Sequence, residues 1–452
     1  MSTAAFDERG TDLLARLNRI PAWALPRSYL VIIGLGYFFT FYDISNIGFA
    51  MPAINEQFHL SHSTNLFLAL AVGLIGYVVG SFAIGALADH YGRYRMLIFT
   101  IILTAIGSFG DALAPGVATL IVFRFITGIG VGADLNLVST YLSELAPPKR
   151  RGRITLYTFF VGILGQAVTP FVALALVPNF EIGWRLLFAI GGLIAVAGLL
   201  LRLRLPESPR WAVGHGQYDD AEATIKLMEE NCRARNISLP EPRPSQVDGG
   251  ADFPWRYLLQ ARYLRRMAVF IPMWFLWYIG NYGFLGDAAE LISSHGAAVG
   301  DSILYLAIGA IGYPIGTLAT LKIVDVIERK LLILISTIVW LVGMLLIASY
   351  ASTTLIYIGA FCASLALGAY LQVAYTYTAE AFPTRARATG FALSDGLGHI
   401  GGAVGALVLP MIVTSVSFSA GFTFIGLTGL AAGLIALAGP KATGLDLENV
   451  SR

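Results

Sequence analysis

The sequence predicts an all-α membrane protein with twelve transmembrane helices in two pseudo-symmetric six-helix bundles. Of 452 residues, 56% are hydrophobic and only 13% are charged, where a soluble domain carries about 25% charged residues. Twelve apolar runs each reach the roughly 20 residues that cross a bilayer. The halves also repeat. Asp89 and Arg93 recur as Asp325 and Arg329, and Glu144, Pro147 and Arg151 recur as Glu380, Pro383 and Arg387, each 236 positions on (325 − 89 and 380 − 144). Two separate motifs sharing one offset mark a duplicated unit.

The runs cover about 29–53, 64–88, 95–113, 117–142, 154–177 and 184–204, then about 267–292, 300–324, 331–350, 354–379, 387–413 and 418–438. They divide the chain into an N-terminal tail (1–28), a first bundle (29–204), a linker with short amphipathic helices (205–266), a second bundle (267–438) and a C-terminal tail (439–452). Connections such as Asp111 to Gly116 are short on one side. Of the thirty lysines and arginines, all but Arg124 and Arg185 fall on the other side or in the tails and linker. By the positive-inside rule both termini and the linker are cytoplasmic, in the plasma membrane. The first 28 residues mix charges and lack the apolar core of a signal peptide. Net charge is +2, which suggests no nucleic-acid partner, and Cys232 and Cys362 sit in unlike surroundings, so no disulfide is expected. There is no phosphate-cradling loop, nucleophile elbow or metal-ligand cluster. The chain therefore does not read as an enzyme, and no cofactor or metal is expected.

An ionisable side chain inside a span is costly and marks function by default. Asp43, Arg124, Asp134, Asp395 and His399 qualify. Asp43 lies about ten residues, or roughly 15 Å, below the outer end of the first span. Arg124 lies about seven residues, or roughly 10 Å, into the fourth. Their depths agree within a turn, and Arg124 reads as the only lysine or arginine inside a span, so the two are expected to pair. Burial raises a carboxylate's pKa and a neighbouring arginine lowers it. Motion that changes the Asp43–Arg124 distance would therefore load and release a proton. Asp134, on another face of the fourth span, reads as a second proton site or a polar neighbour of the gate. Asp395 and His399 share a face at i, i+4, either as a hydrogen-bonded pair or as a substrate contact.

Gly85-Ala-Leu-Ala-Asp89-His-Tyr-Gly92-Arg93 resembles the loop signature of the major facilitator superfamily. Pro206-Glu-Ser-Pro-Arg210, and Arg124-Phe-Ile-Thr-Gly128 running on to Glu144-Leu-Ala-Pro-Pro-Lys-Arg-Arg151-Gly152, resemble its sugar-porter branch. Glu380-Ala-Phe-Pro-Thr-Arg-Ala-Arg387 and Phe38-Phe-Thr-Phe-Tyr-Asp43 are similar to niacin-transporter-like and metabolite:proton symporters. The resemblance covers the whole chain apart from its tails. It implies secondary active transport, by alternating access, of a small organic solute with protons, in a monomer within the lipid bilayer. It also implies the proton role of an aspartate in span one and an arginine in span four.

Helix-end charges would form the cytoplasmic gate: Asp89 with Arg93, Glu144 with Arg151, Glu207 with Arg210, and in the second half Asp325, Arg329, Glu380 and Arg387. Candidate solute contacts are Asn46, Gln166, Trp277, Asn281, Tyr282, Tyr370, Tyr375 and Asp395, with Tyr278, Gln372 and Tyr377 nearby in sequence. Gln166 falls on a glutamine that sugar porters use, but Phe159 replaces another. An aromatic run from Trp274 to Tyr282 replaces the paired glutamines of span seven. Thr40 stands where metabolite symporters often place an extra aspartate. The pattern favours an organic acid or aromatic metabolite over a sugar. A facilitative uniporter of the same solutes and a transporter-like nutrient sensor are the competing readings.

Overall fold

The computed structural model describes residues 8–60, 68, 71–147, 150–242, 258–295, 299–382 and 387–443. In the first half, α1 (Glu8–Asn18) precedes α2 (Arg27–Phe58), α3 (Val72–Tyr91), α4 (Arg93–Leu113), α5 (Val117–Leu145), α6 (Arg151–Leu176) and α7 (Gly183–Arg202). Two linker helices follow, α8 (Pro209–Gly214) and α9 (Tyr218–Ala234). The second half holds α10 (Ala261–Ser294), α11 (Val299–Ala310), α12 (Gly312–Leu321), α13 (Arg329–Ser349), α14 (Thr353–Glu380), α15 (Arg387–Ser415) and α16 (Phe418–Ala436). Hydrocarbon leaves backbone N–H and C=O groups no partner but one another, so a chain this apolar becomes helix throughout its spans.

Eleven stretches are long and apolar enough to cross a membrane, and α3 supplies a shorter apolar helix, Val72–Gly85, at the second position. One expected span, about 300–324, is formed by α11 and α12 with a break at Ile311. Pro314 explains the break, because its ring nitrogen has no hydrogen for the carbonyl one turn back.

Small residues let the spans approach closely. Along the α3–α5 crossing, a side chain at Gly76, Gly80 or Gly132 would run into the backbone at Phe125, Ile129 or Tyr77. The same crossing recurs 236 positions on between α11–α12 and α14, where Gly312, Gly316 and Gly368 meet the backbone at Phe361, Leu365 and Tyr313. The halves also touch each other. Gly48 on α2 lies against the Leu285–Gly286 backbone of α10, α3 packs on α15, and α6 packs on α11 and α12.

Chain ends and linker gather on one face. There α1 docks on α8 and α9 with Leu13, Leu14 and Leu17 buried, opposite the buried Ile225 and Met228 of α9. Arginines clamp it in place. Arg9 reaches Asp219 at 2.6 Å and Glu222 at 2.9 Å, while Arg16 and Arg19 reach Glu229 at 2.9 and 2.6 Å. The tail expected over 1–28 thus contains a packed helix. Beyond the second linker helix, residues 243–257 of the expected 205–266 linker lie outside the described residues.

Lys226 and Arg9 hold the Glu222 carboxyl down to about 2. Burial pushes Glu229 up, but hydrogen bonds from Arg16 and Arg19 outweigh it and leave its pKa lowered. Carboxylates depressed in this way stabilise docking above their free pKa near 4.3 and lose that contribution as pH falls through the docked value. Protection factors over residues 8–18, taken against the intrinsic exchange rate at each pH, are therefore expected to stay high at neutral pH and to fall as pH drops from about 4.5 towards about 2. Uniform protection across that window would contradict the clamp.

Candidate functional site

Asp43 on α2 and Arg124 on α5 meet, as their depths require. Arg124 Nη1 donates to Asp43 Oδ2 at 3.4 Å, and Asn46 Nδ2 and Ser108 Oγ both donate to Asp43 Oδ1 at 3.2 Å. A second carboxylate shares the arginine: Asp111 Oδ2 lies 3.8 Å from the same Nη1 and accepts from Thr127 Oγ1 at 3.4 Å. The sequence reading placed Asp111 at the start of a loop. It belongs instead to the last turn of α4 and is fully buried. The Arg124 guanidinium also lies 5.8 Å from the centre of the Phe188 ring on α7. Ionised, the trio has two negative charges against one positive.

A second ion pair corrects the expectation that Arg124 is the only basic side chain inside a span. Arg202, from the last turn of α7, is 1% exposed and grips Asp134 with both guanidinium nitrogens, Nη1 to Oδ1 at 2.5 Å and Nη2 to Oδ2 at 2.8 Å. Thr100 and Thr40 also donate to Asp134, at 2.9 and 3.4 Å, and Arg202 Nη1 reaches the Leu97 carbonyl at 2.8 Å. Asp134 therefore belongs to a cluster apart from Arg124. Gly36 gives this arginine room, since any side chain there would strike the guanidinium.

The proposed solute contacts divide into four groups. Asn46 binds Asp43, and its Oδ1 has no partner. Gln166 on α6 faces Tyr313 of the other half, while its Nε2 has no partner among the described residues. Trp277 stacks on Tyr370 with ring centres 3.7 Å apart at 13°. Among the described residues neither Trp277 Nε1 nor the Tyr370 hydroxyl has a partner, nor does Asn281 Oδ1 one turn on. Asp395 accepts from Tyr278 at 2.6 Å and Tyr77 at 2.9 Å, with His399, Tyr282 and Tyr375 around it. Gln372 bonds Thr376 at 3.3 Å. Tyr377 lies away from these groups, donating to the Pro440 carbonyl at the chain-end face.

The gate charges pair differently from the sequence reading. Arg93 on α4 binds Glu144 on α5 at 3.2 Å, and 236 positions later Arg329 binds Glu380 at 3.4 Å. Arg329 also meets Asp325 at 3.5 Å. Glu207 was expected to pair with Arg210. Instead it caps α4, its Oε1 accepting from the Arg93 and Tyr94 backbone at 3.0 and 3.2 Å. Gly92, at φ +104°, leaves that carboxylate room that a side chain would take. Arg210 reaches Asn18 at 2.6 Å and the Glu144 carbonyl at 3.4 Å. An ion pair that spans the halves joins Arg153 to Asp325, at 3.3 Å. The side chains of Asp89, Arg151 and Arg387 lie outside the described part of the structure.

Removing one member of a buried ion pair leaves the other charge uncompensated, at about 3–5 kcal/mol, whereas replacing both by apolar residues is often neutral. Arg202→Met is thus expected to lower stability by about 3 kcal/mol, and Arg202→Met with Asp134→Leu to recover most of that loss. Thermal unfolding of purified protein checks both. Equal losses in the single and double variants would show that the pair is not what holds α5 to α7.

The model of the "Sugar (and other) transporter" family matches residues 29–452. The chain is 28% identical over 424 residues to a putative metabolite transport protein, YyaJ, of Bacillus subtilis, covering 93% of each chain. It is 29% identical over 448 residues to the niacin transporter NiaP of Acinetobacter baylyi, covering 97% of this chain and 99% of the relative. Among solved structures, the major facilitator superfamily proton:xylose symporter XylE is similar in fold, with TM-score 0.73 at 21% identity over 98% of this chain and all of that one. With its twelve spans and full-length match, the chain belongs to the sugar (and other) transporter family and is a membrane transporter with the major facilitator fold.

Proposed function

We propose that the protein is a proton-coupled symporter that moves a small organic solute by alternating access, with Asp43 as the proton carrier. The observation that carries this reading is the surplus carboxylate at Arg124. One guanidinium cannot neutralise Asp43 and Asp111 together in a medium that disfavours unpaired charge. A proton on Asp43 removes the excess and leaves Arg124 to Asp111. When the halves move and Arg124 returns to Asp43, the proton leaves. Asp111 thereby acts as the resting partner of Arg124 while Asp43 is loaded.

The solute sits between the halves, against the unpaired donors of Trp277, Tyr370 and Gln166 and the unpaired acceptors of Asn46 and Asn281. Buried polar groups without partners are rare, and a bound solute would supply what these lack. Stacked rings at Trp277 and Tyr370, together with the similarity to a niacin transporter, support an aromatic organic acid or metabolite. Arg153 and Asp325 join the halves when the chain-end face is closed, and the lysine and arginine bias supports a cytoplasmic position for that face.

The test is uptake into proteoliposomes suspended in weakly buffered medium that contains a membrane-impermeant pH dye, using nicotinate, 4-hydroxybenzoate and xylose as probes. The wild type is expected to show solute-dependent alkalinisation outside, and one pH unit supports about tenfold accumulation per proton. Asp43→Asn is expected to abolish the alkalinisation and reduce uptake to equilibration, and Asp111→Asn to weaken coupling by stranding Arg124 on Asp43. Uptake without proton movement, unchanged in Asp43→Asn, would make the protein a uniporter and Asp43 a structural partner of Arg124.

A further inference from the structure

Each half presents a tyrosine from its second span to the fifth span of the other half. Tyr313, 236 positions after Tyr77, meets the neutral Gln166. Tyr77 meets a fully buried carboxylate, Asp395, at 2.9 Å. The other Asp395 oxygen accepts from Tyr278, of its own half, at 2.6 Å. His399 lies one turn further along α15, with its ring stacked on Tyr77 at 3.7 Å and 20° and its Nδ1 3.6 Å from the Asp395 carboxylate. That Nδ1 is also 2.8 Å from the Asp395 carbonyl. A carbonyl only accepts, so Nδ1 carries a hydrogen, and Nε2 or the carboxylate is left to take another.

The remaining titratable groups facing the pair are Tyr282 on α10, with its ring centre 5.6 Å from that of His399, and Tyr375 on α14, 3.4 Å from the Tyr278 hydroxyl. Helices α5 and α16 also pack on α15 and bring no charged group into contact with the pair. No lysine or arginine among the described residues forms an ion pair with Asp395. This is the opposite of Asp43 and Asp134, which each have an arginine.

We propose that Asp395 and His399 form a second proton-binding site, separate from Asp43, whose occupancy clasps the two halves together along α3 and α15. Without a proton, the closed seam seals one negative charge away from water and from any cation, which hydrocarbon disfavours. With one proton the pair is neutral, as carboxylic acid beside imidazole or as imidazolium beside carboxylate. Separating the halves withdraws Tyr77 and admits water, which solvates the bare carboxylate. The proton therefore binds the clasped form more tightly, and by linkage the clasped population grows as pH falls. In the opposite seam the matching tyrosine, Tyr313, faces Gln166, which does not titrate. The inference does not depend on the coupling role of Asp43.

Spin labels at Val79→Cys and Ile400→Cys, exposed positions on the two sides of the seam, in protein lacking Cys232 and Cys362 and held in nanodiscs, report its opening as a distance distribution. Between about pH 5 and pH 8, the odds of the short-distance form are expected to rise as pH falls, by up to about tenfold per unit for one linked proton. Asp395→Asn, a neutral stand-in for the loaded carboxyl, is expected to stay clasped and flatten the profile, while Asp43→Asn keeps it. Tyr77→Phe keeps the ring stack but loses the cross-half donor, and is expected to lower the clasped odds at pH 5 about tenfold. A flat wild-type profile, an unaltered profile in Asp395→Asn, its loss in Asp43→Asn, or unchanged distances in Tyr77→Phe would each overturn the proposal.

Discussion

An arginine inside a bilayer must be neutralised locally, and much of the first half is arranged around two of them. Arg124 draws α2, α4 and α5 together through Asp43 and Asp111. Arg202 ties α7 to α5 through Asp134, with threonines from α2 and α4 completing that carboxylate's shell. Each cluster constrains the helices around it, because moving one helix away leaves a charge without its partner. Gly36 beside Arg202 then follows from the close approach this contact requires.

The second half is built differently. Its interior carries rings where the first half carries charges: Trp274, Trp277, Trp340, Tyr278 and Tyr370 pack on one another, and Asp395 is satisfied by phenols. Duplication supplied both halves with the same crossings and the same Arg–Glu pair at the chain-end face, but left the polar chemistry unequal. Under the proposed reading this inequality divides the labour, with the first half carrying the coupling proton and the second supplying the aromatic surroundings of the solute.

Twelve spans, the duplication and the Asp43–Arg124 contact were legible because each rests on length or depth along a helix, which residue counting measures directly. Asp111 was missed because it stands at the end of an apolar run, where a carboxylate reads as the edge of a loop. Arg202 was missed for the mirror reason: a basic residue near the positive side reads as interfacial, and only the fold shows it turning inward. The gate pairs were mismatched because neighbours in sequence were taken as partners, whereas Arg93 meets Glu144 on the next helix and Glu207 meets backbone N–H groups. Tyr77 had no signal at all, since its partner Asp395 is reached only when the two halves close.

The Arg153–Asp325 pair belongs to the duplicated frame, yet it lacks a twin. Position 389, which corresponds to Arg153 in the second half, is a threonine. Among the described residues the charged fastener across the chain-end face is therefore one-sided, and with Arg153 more than half exposed it is open to counter-ions. Screening at cellular ionic strength acts over about 8 Å, so such a pair holds less in brine than in dilute buffer. Under the proposed alternating access, the chain-end face would consequently respond to electrolyte, with dilute buffer favouring the form in which this pair is made.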